Sequence, residues 1–275
     1  RIINTGGVSC TTDTTQILNA GLTQSTALYR FEDNVYDTSE STGYINKGAR
    51  FNGSDSKITI SGSPFNLTTY SLSFWIYADD YNQSAASIVN IGLDNTGGTW
   101  GGLAFGVNTN KVFYYGGDSG FFTQTGTTNI TNANWVHVAM VVNGTSITGY
   151  VNGTQDSGLS KTLGSNIAYR GGSINTIGVR QGAFGSYGWW NGNVDELRVY
   201  NDALTATEIG YIANNTTASI PTANLIAFYS FEGNANDSTS NNNNGTASNV
   251  RYDYSGTASN ITYATGKFGK AAVFN

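Results

Sequence analysis

The sequence predicts an all-β chain: two antiparallel sheets stacked as a sandwich, one short helix behind the last strand, and the start of a second, similar domain. Three observations carry this. Short apolar runs recur with a period of two. Glycines, 35 in number, punctuate those runs, and Asn-Gly directly follows the apolar runs at Asn143-Gly144 and Asn152-Gly153. No helical run interleaves with them, which excludes the alternation a parallel sheet needs.

Taken in order, residues 1–25 are polar and read as a lead-in or docking segment, with a short helix near Thr15–Leu18. From Ala27 the pattern becomes strand-like. In Tyr70–Tyr77, Leu72, Phe74 and Ile76 share one face, while Ser73, Trp75 and Tyr77 share the other. Further strands are predicted at Lys57–Ile60, Ser87–Ile91, Leu103–Val107, Lys111–Tyr115, Gly120–Thr125, Trp135–Val142, Ser146–Val151, Ile174–Val179 and Gly192–Tyr200. Asn143-Gly144 and Asn152-Gly153 supply the positive φ angles of tight hairpins. Thr205-Ala-Thr-Glu208 has the form of a capping box and starts a helix running to about Asn214.

An internal repeat follows. Ala27-Leu-Tyr-Arg-Phe-Glu-Asp-Asn, with Asp37, is similar to Ala227-Phe-Tyr-Ser-Phe-Glu-Gly-Asn, with Asp237. Gly48-Ala-Arg-Phe-Asn52 is similar to Ala271-Ala-Val-Phe-Asn275. The organisation this predicts is a lead-in at 1–25, a sandwich at 26–214, a linker at 215–223, and opening strands of a second, truncated domain at 224–275. Two strands cannot bury a core alone. They therefore belong to a longer chain, or complete a sheet of the first domain or of a neighbouring chain.

Charge narrows the partners. Charged residues make up 11% of the chain and the net charge is −5, with no Lys/Arg-rich run. Nucleic acid is excluded as an expected partner, because phosphate binding needs clustered positive charge. No apolar stretch reaches the length of a membrane-spanning helix, so membrane insertion is not expected. The single cysteine, Cys10, forms no intrachain disulfide. An Asn/Thr-rich chain generates Asn-x-Ser/Thr sequons, such as those headed by Asn66 and Asn129, by chance.

Several blocks carry a family resemblance. Tyr29-Arg-Phe-Glu-Asp-Asn34, Ala49-Arg-Phe-Asn-Gly53, Ser71-Leu-Ser-Phe-Trp-Ile76, Asn134-Trp-Val-His-Val-Ala139, Tyr150-Val-Asn-Gly153 and Asn191-Gly-Asn-Val-Asp-Glu-Leu-Arg-Val-Tyr200 occur in that order. Residues 27–213 thereby resemble a laminin-G-like domain of the concanavalin A-like lectin family. The resemblance implies a jelly-roll sandwich, and a fold that hosts lectins, adhesion modules and some glycoside hydrolases. Tandem domains, a polar lead-in and low charge also resemble structural proteins of tailed bacteriophages. That resemblance implies a non-catalytic fibre or surface module at a virion surface or outside a cell. Its expected partners are glycan or host-surface polysaccharide and other virion or surface-protein subunits, in a homo-oligomer. Two alternatives are a purely structural virion decoration and a carbohydrate-binding module of a bacterial extracellular protein.

Catalysis is not expected. Hydrolases on this scaffold use carboxylates at alternate strand positions, whereas Asp195 and Glu196 are adjacent, as are Glu32 and Asp33. The one histidine, His137, reads as structural, since no acid or nucleophile stands at a supporting spacing. On a regular strand Asp195 falls with Leu197 and Val199 and faces the core, where it needs a partner. Backbone hydrogen bonds are one solution. The other, implied by the resemblance, is a structural Ca²⁺ held by Asp195, Glu32 and Asp33. Glu196 and Arg198 share a face and are expected to pair. For sugar binding the candidates are aromatic, because a pyranose stacks its C–H face on a ring. Trp100 lies in a glycine-rich loop. Trp189 and Trp190 cannot both face inward, and the resemblance implies that Trp190 is the core aromatic, which leaves Tyr187 and Trp189 as the exposed pair ahead of the closing strand. Tyr114–Tyr115 and Phe121–Phe122 pose the same inside-or-outside question at another sheet edge.

Overall fold

The period-two runs fold as strands. The computed structural model describes residues 44–45, 48–61, 65, 67–94, 101–117, 120–167, 169, 175–182, 185–215 and 220–253, with four short strands outside them. Residues 47–253 form one unit. Residues 1–46 and 254–275 form another, in which β1 (Tyr29–Phe31) pairs with β2 (Val35–Asp37), and β20 (Thr262–Thr265) with β21 (Lys270–Val273), both antiparallel. The expected lead-in at 1–25 lies outside the described residues.

The larger unit is a two-sheet antiparallel sandwich. Its eight-stranded sheet runs β12 (Thr154–Thr162), β11 (Ser146–Val151), β10 (Val136–Asn143), β5 (Thr69–Tyr77), β16 (Asn191–Tyr200), β3 (Gly48–Asn52) and β19 (Arg251–Asp253), with β17 (Leu225–Tyr229) also paired to β16. The seven-stranded sheet runs β18 (Gly245–Ser248), β4 (Lys57–Ile60), β13 (Asn175–Ile177), β6 (Ala86–Asp94), β7 (Gly101–Asn108), β8 (Lys111–Gly117) and β9 (Phe121–Asn129). Between them lies the core, with Phe51, Phe74, Phe105, Tyr114, Leu159 and Trp190 all buried. The repeat leaves the place of residues 225–253 open, and the structure puts β17, β18 and β19 in the sandwich's own sheets, beside β16, β4 and β3.

The capping box is formed: Thr205 accepts from the Glu208 backbone, Glu208 accepts from the Thr205 backbone, and α1 spans Ala206–Ala213. This helix lays Ile209 and Ile212 on the outer face of the eight-stranded sheet, against Ala139, Val141, Tyr150 and Tyr200.

One reading of the sequence is corrected. Asp195 does not share a face with Leu197 and Val199. A β-bulge interrupts the pairing of β16 with β5 between Asp195 and Arg198, with Glu196 at φ 52°. Asp195 stands opposite Trp75, while Val199 stands opposite the core residue Leu72. The extra residue moves Asp195 to the outer face of the sheet, where it is still fully buried.

The polar strand β12 meets β9 through one carboxylate. Asp156, 3% exposed, accepts from the backbone N–H of Thr127, Thr128 and Gly158 and from the Thr127 hydroxyl, at 2.8–3.0 Å. Burial alone would push this carboxyl up. The Thr127 and Thr128 hydrogen bonds outweigh burial and hold it well below the usual carboxylate range. β12 edges one sheet and β9 the other, so Asp156 closes that side of the sandwich. Asp156→Asn is predicted to cost about 2–4 kcal/mol at pH 7. Because the folded pKa is depressed, this contribution is present above the unfolded value of about 4 and lost as pH falls below it. Urea titrations should show a gap between wild type and variant that is constant from pH 7 to 5 and shrinks below pH 4. A gap that is absent, or independent of pH, contradicts this role.

Candidate functional site

The outer faces of the two sheets differ in chemistry. On the eight-stranded sheet a buried polar row faces outward. His137 and Asp195 both stand opposite Trp75, and Arg198 opposite Ser73. His137 Nε2 lies 2.8 Å from Ser73 Oγ, and its ring meets Trp75 edge-on at 5.2 Å. Arg198 pairs with Glu196 at 2.5 Å and lies over the Phe228 ring at 4.4 Å. Burial raises the Glu196 carboxyl more than the Arg198 charge lowers it, and Glu232 adds a like charge. Burial, and then the Arg198 charge, lower His137 to about 3. This row is buried, and the expected Glu196–Arg198 pair is present in it.

His137 makes this row pH-sensitive. Between pH 6.5 and about 3 the unfolded chain binds a proton that the folded chain does not. The stability contributed by the neutral ring is therefore full above pH 6.5 and lost as pH falls toward 3, by an amount on the order of 5 kcal/mol. His137→Gln removes this dependence. Denaturation free energies from pH 7.5 to 4.5 should fall more steeply for wild type than for the variant, and parallel slopes would count against a buried neutral ring.

Of the three expected calcium ligands, Asp195 alone lies among the described residues. Asp195 Oδ1 accepts from the Glu196 backbone N–H at 2.8 Å, and Glu196 is engaged with Arg198. No three His, Cys, Asp or Glu side chains converge among the described residues, while Ca²⁺ takes six to eight oxygens. Glu32 and Asp33 lie outside those residues.

The seven-stranded sheet carries an aromatic platform on its outer face. Leu93, Ala104, Phe113 and Tyr115 form a separate cluster there, with Phe113 and Tyr115 stacked at 5.3 Å. The hairpin of β14 (Arg180–Gly182) and β15 (Gly185–Tyr187) packs against β6. Gly188, at φ +61°, lets the chain leave this hairpin against β6: its carbonyl accepts from the Ser87 N–H at 2.7 Å, and a Cβ there would sit 2.4 Å from the Ala85 carbonyl oxygen. As a result the Arg180 guanidinium lies 5.4 Å from the Tyr115 ring and 4.9 Å from the Tyr187 ring. Tyr115 shares a 2.5 Å hydrogen bond with Ser87 and meets Phe121 at 6.1 Å. Burial raises the Tyr115 phenol, with Ser87 and Arg180 offsetting part of that. Lys57 donates to Gln181, and Asn90 donates to the Gln181 backbone. Two of the most exposed large apolar side chains, Phe121 at 52% and Tyr187 at 44%, flank this set. Exposed Thr123 and Thr125 stand opposite Tyr115 and Phe113.

The sequence candidates fall as follows. Tyr187 is in the platform. Trp189 is half-buried two residues on, Trp190 is fully buried against Tyr81, and Trp100 lies outside the described residues. Tyr114 points inward and Tyr115 lies on the outer face, while Phe122 is buried and Phe121 exposed. Arg180 carries no sequence signal, because its role arises only when the hairpin folds over β6.

The same sandwich occurs in known structures. The native heptameric SAP-like pentraxin of Limulus polyphemus is similar at TM-score 0.55 and 16% identity, over 75% of this chain and 94% of that one. A Bacteroides ovatus protein assigned to carbohydrate binding matches at TM-score 0.56 and 16% identity, over 80% and 66%. The CBM40 of a Ruminococcus gnavus IT-sialidase, bound to α2,3-sialyllactose, matches at 0.51 and 11%, over 61% and 96%. No curated protein matches in sequence. Among the described residues no helix is long and apolar enough to cross a membrane. The family model for the laminin-G type of the concanavalin A-like lectin/glucanases superfamily matches residues 52–210. With that model spanning more than half of the residues over a two-sheet sandwich, the chain belongs to the concanavalin A-like lectin/glucanases superfamily.

Proposed function

We propose that the chain is a non-catalytic, extracellular glycan-binding module, and that sugar docks on the outer face of the seven-stranded sheet. The observation that carries this is the Arg180 guanidinium held between Tyr115 and Tyr187, with Phe121 exposed at the far end. Rings present flat apolar faces to pyranose C–H groups, and the cation, threonine hydroxyls and amides beside them serve the sugar's oxygens. Carbohydrate-bound and carbohydrate-assigned relatives on the same sandwich support this reading. Its finer form is a fibre or surface module that meets host polysaccharide, assembles with other virion or surface-protein subunits, and gains avidity from repeated copies. The internal repeat favours that form.

A glycan array with the full chain tests the proposal, followed by calorimetry on the best ligand. Tyr187→Ala and Arg180→Ala should each weaken binding about tenfold, the worth of about 1.4 kcal/mol of stacking or cation–π contact, without loss of the folded state. An array with no bound glycan, or variants that bind as well as wild type, sinks it.

A further inference from the structure

The cations of the seven-stranded sheet gather on the face that carries the aromatic platform. Along β8, Lys111 alternates onto the same face as Phe113 and Tyr115. On β4, Ile58 and Ile60 are core residues, so Lys57 faces outward, and its ammonium donates to Gln181 of the β14–β15 hairpin. Arg180 of that hairpin lies over the Tyr115 and Tyr187 rings. The seven strands and the hairpin hold these three cations and one acidic residue, Asp94, in a chain of net charge −5. Among the described residues none of the three cations has a carboxylate partner, whereas Arg198 on the other sheet is paired with Glu196.

We propose that the glycan bound at this face is acidic, a sugar bearing an anionic substituent, and that Arg180 is the residue that selects it. The inference rests on sugar docking at this sheet. A neutral pyranose stacked on Tyr187 would strip water from the Arg180 guanidinium and return only hydroxyl acceptors. Dehydrating a cation is costly unless an opposite charge replaces the water. An anion does so, and the planar guanidinium can give it two N–H donors side by side. The rings occupy the flat faces of the guanidinium and leave its edge donors for the ligand. Lys57 and Lys111 add a field of the same sign on that face, which favours the approach of an anionic chain.

Calorimetry on the full chain with matched pairs of ligands tests this. Oligogalacturonate and sialyllactose are each set beside their carboxyl-reduced forms, and a sulfated galactan oligosaccharide beside its desulfated form. The acidic member of at least one pair should bind about tenfold tighter at low salt, with the ratio falling as salt rises. The carboxylate and sulfate pairs tell which anion is preferred. Arg180→Gln should remove most of the ratio and Arg180→Lys only part of it, each with the thermal midpoint of wild type. Tyr187→Ala should weaken both members of a pair alike and keep the ratio. Neutral members that bind as tightly as acidic ones overturn the inference and leave sugar docking standing. So does an acidic preference that survives Arg180→Gln, or a chain that binds a neutral glycan and none of these acidic probes. A chain that binds no glycan of either kind loses the docking face as well.

Discussion

Everything in the larger unit hangs on β16 being paired along both sides, although no single strand covers its second side. β5 runs along one side. The other is shared: β3 pairs with residues 191–194, and β17 with residues 197–200. Between these halves sits the bulge at Glu196. An unpaired backbone here would leave buried N–H and C=O groups unsatisfied in the centre of a sheet. The bulge resolves the junction and turns Asp195 and Arg198 to the outer face, while Val194, Leu197 and Val199 stay in the core.

From this strand the two outer faces diverge. The eight-stranded sheet is sealed by α1 and by a buried polar row in which His137 is held neutral and Glu196 is paired with Arg198. The seven-stranded sheet stays partly open, and the β14–β15 hairpin lays a cation between two rings upon it. The hairpin leads directly into β16, so the sandwich's closing strand and its candidate binding face are built by one stretch of chain.

Much of the fold was readable before any coordinates, and for physical reasons. Alternation in Tyr70–Tyr77 and the capping box at Thr205–Glu208 are local signals, and local signals survive folding. The inward turn of Trp190, and with it the outward turn of Tyr187, is what the family resemblance implies; alternation says only that Trp189 and Trp190 cannot both face inward. Three features were hidden. Asp195 was assigned to the core face because a bulge leaves no mark in the apolar pattern. The strand Thr154–Thr162 has few apolar residues, and its backbone is recruited by Asp156 and an edge. Arg180 became part of the site only through a tertiary fold of its hairpin.

Backbone hydrogen exchange tests the central claim most directly. If β17 completes the sheet at β16, amides of residues 225–229 that face β16 should exchange only through the same global opening as those of residues 71–76 and 197–200, with equal opening free energies. Exchange of 225–229 at rates near those of an unstructured peptide, while 71–76 stay protected, would contradict the account.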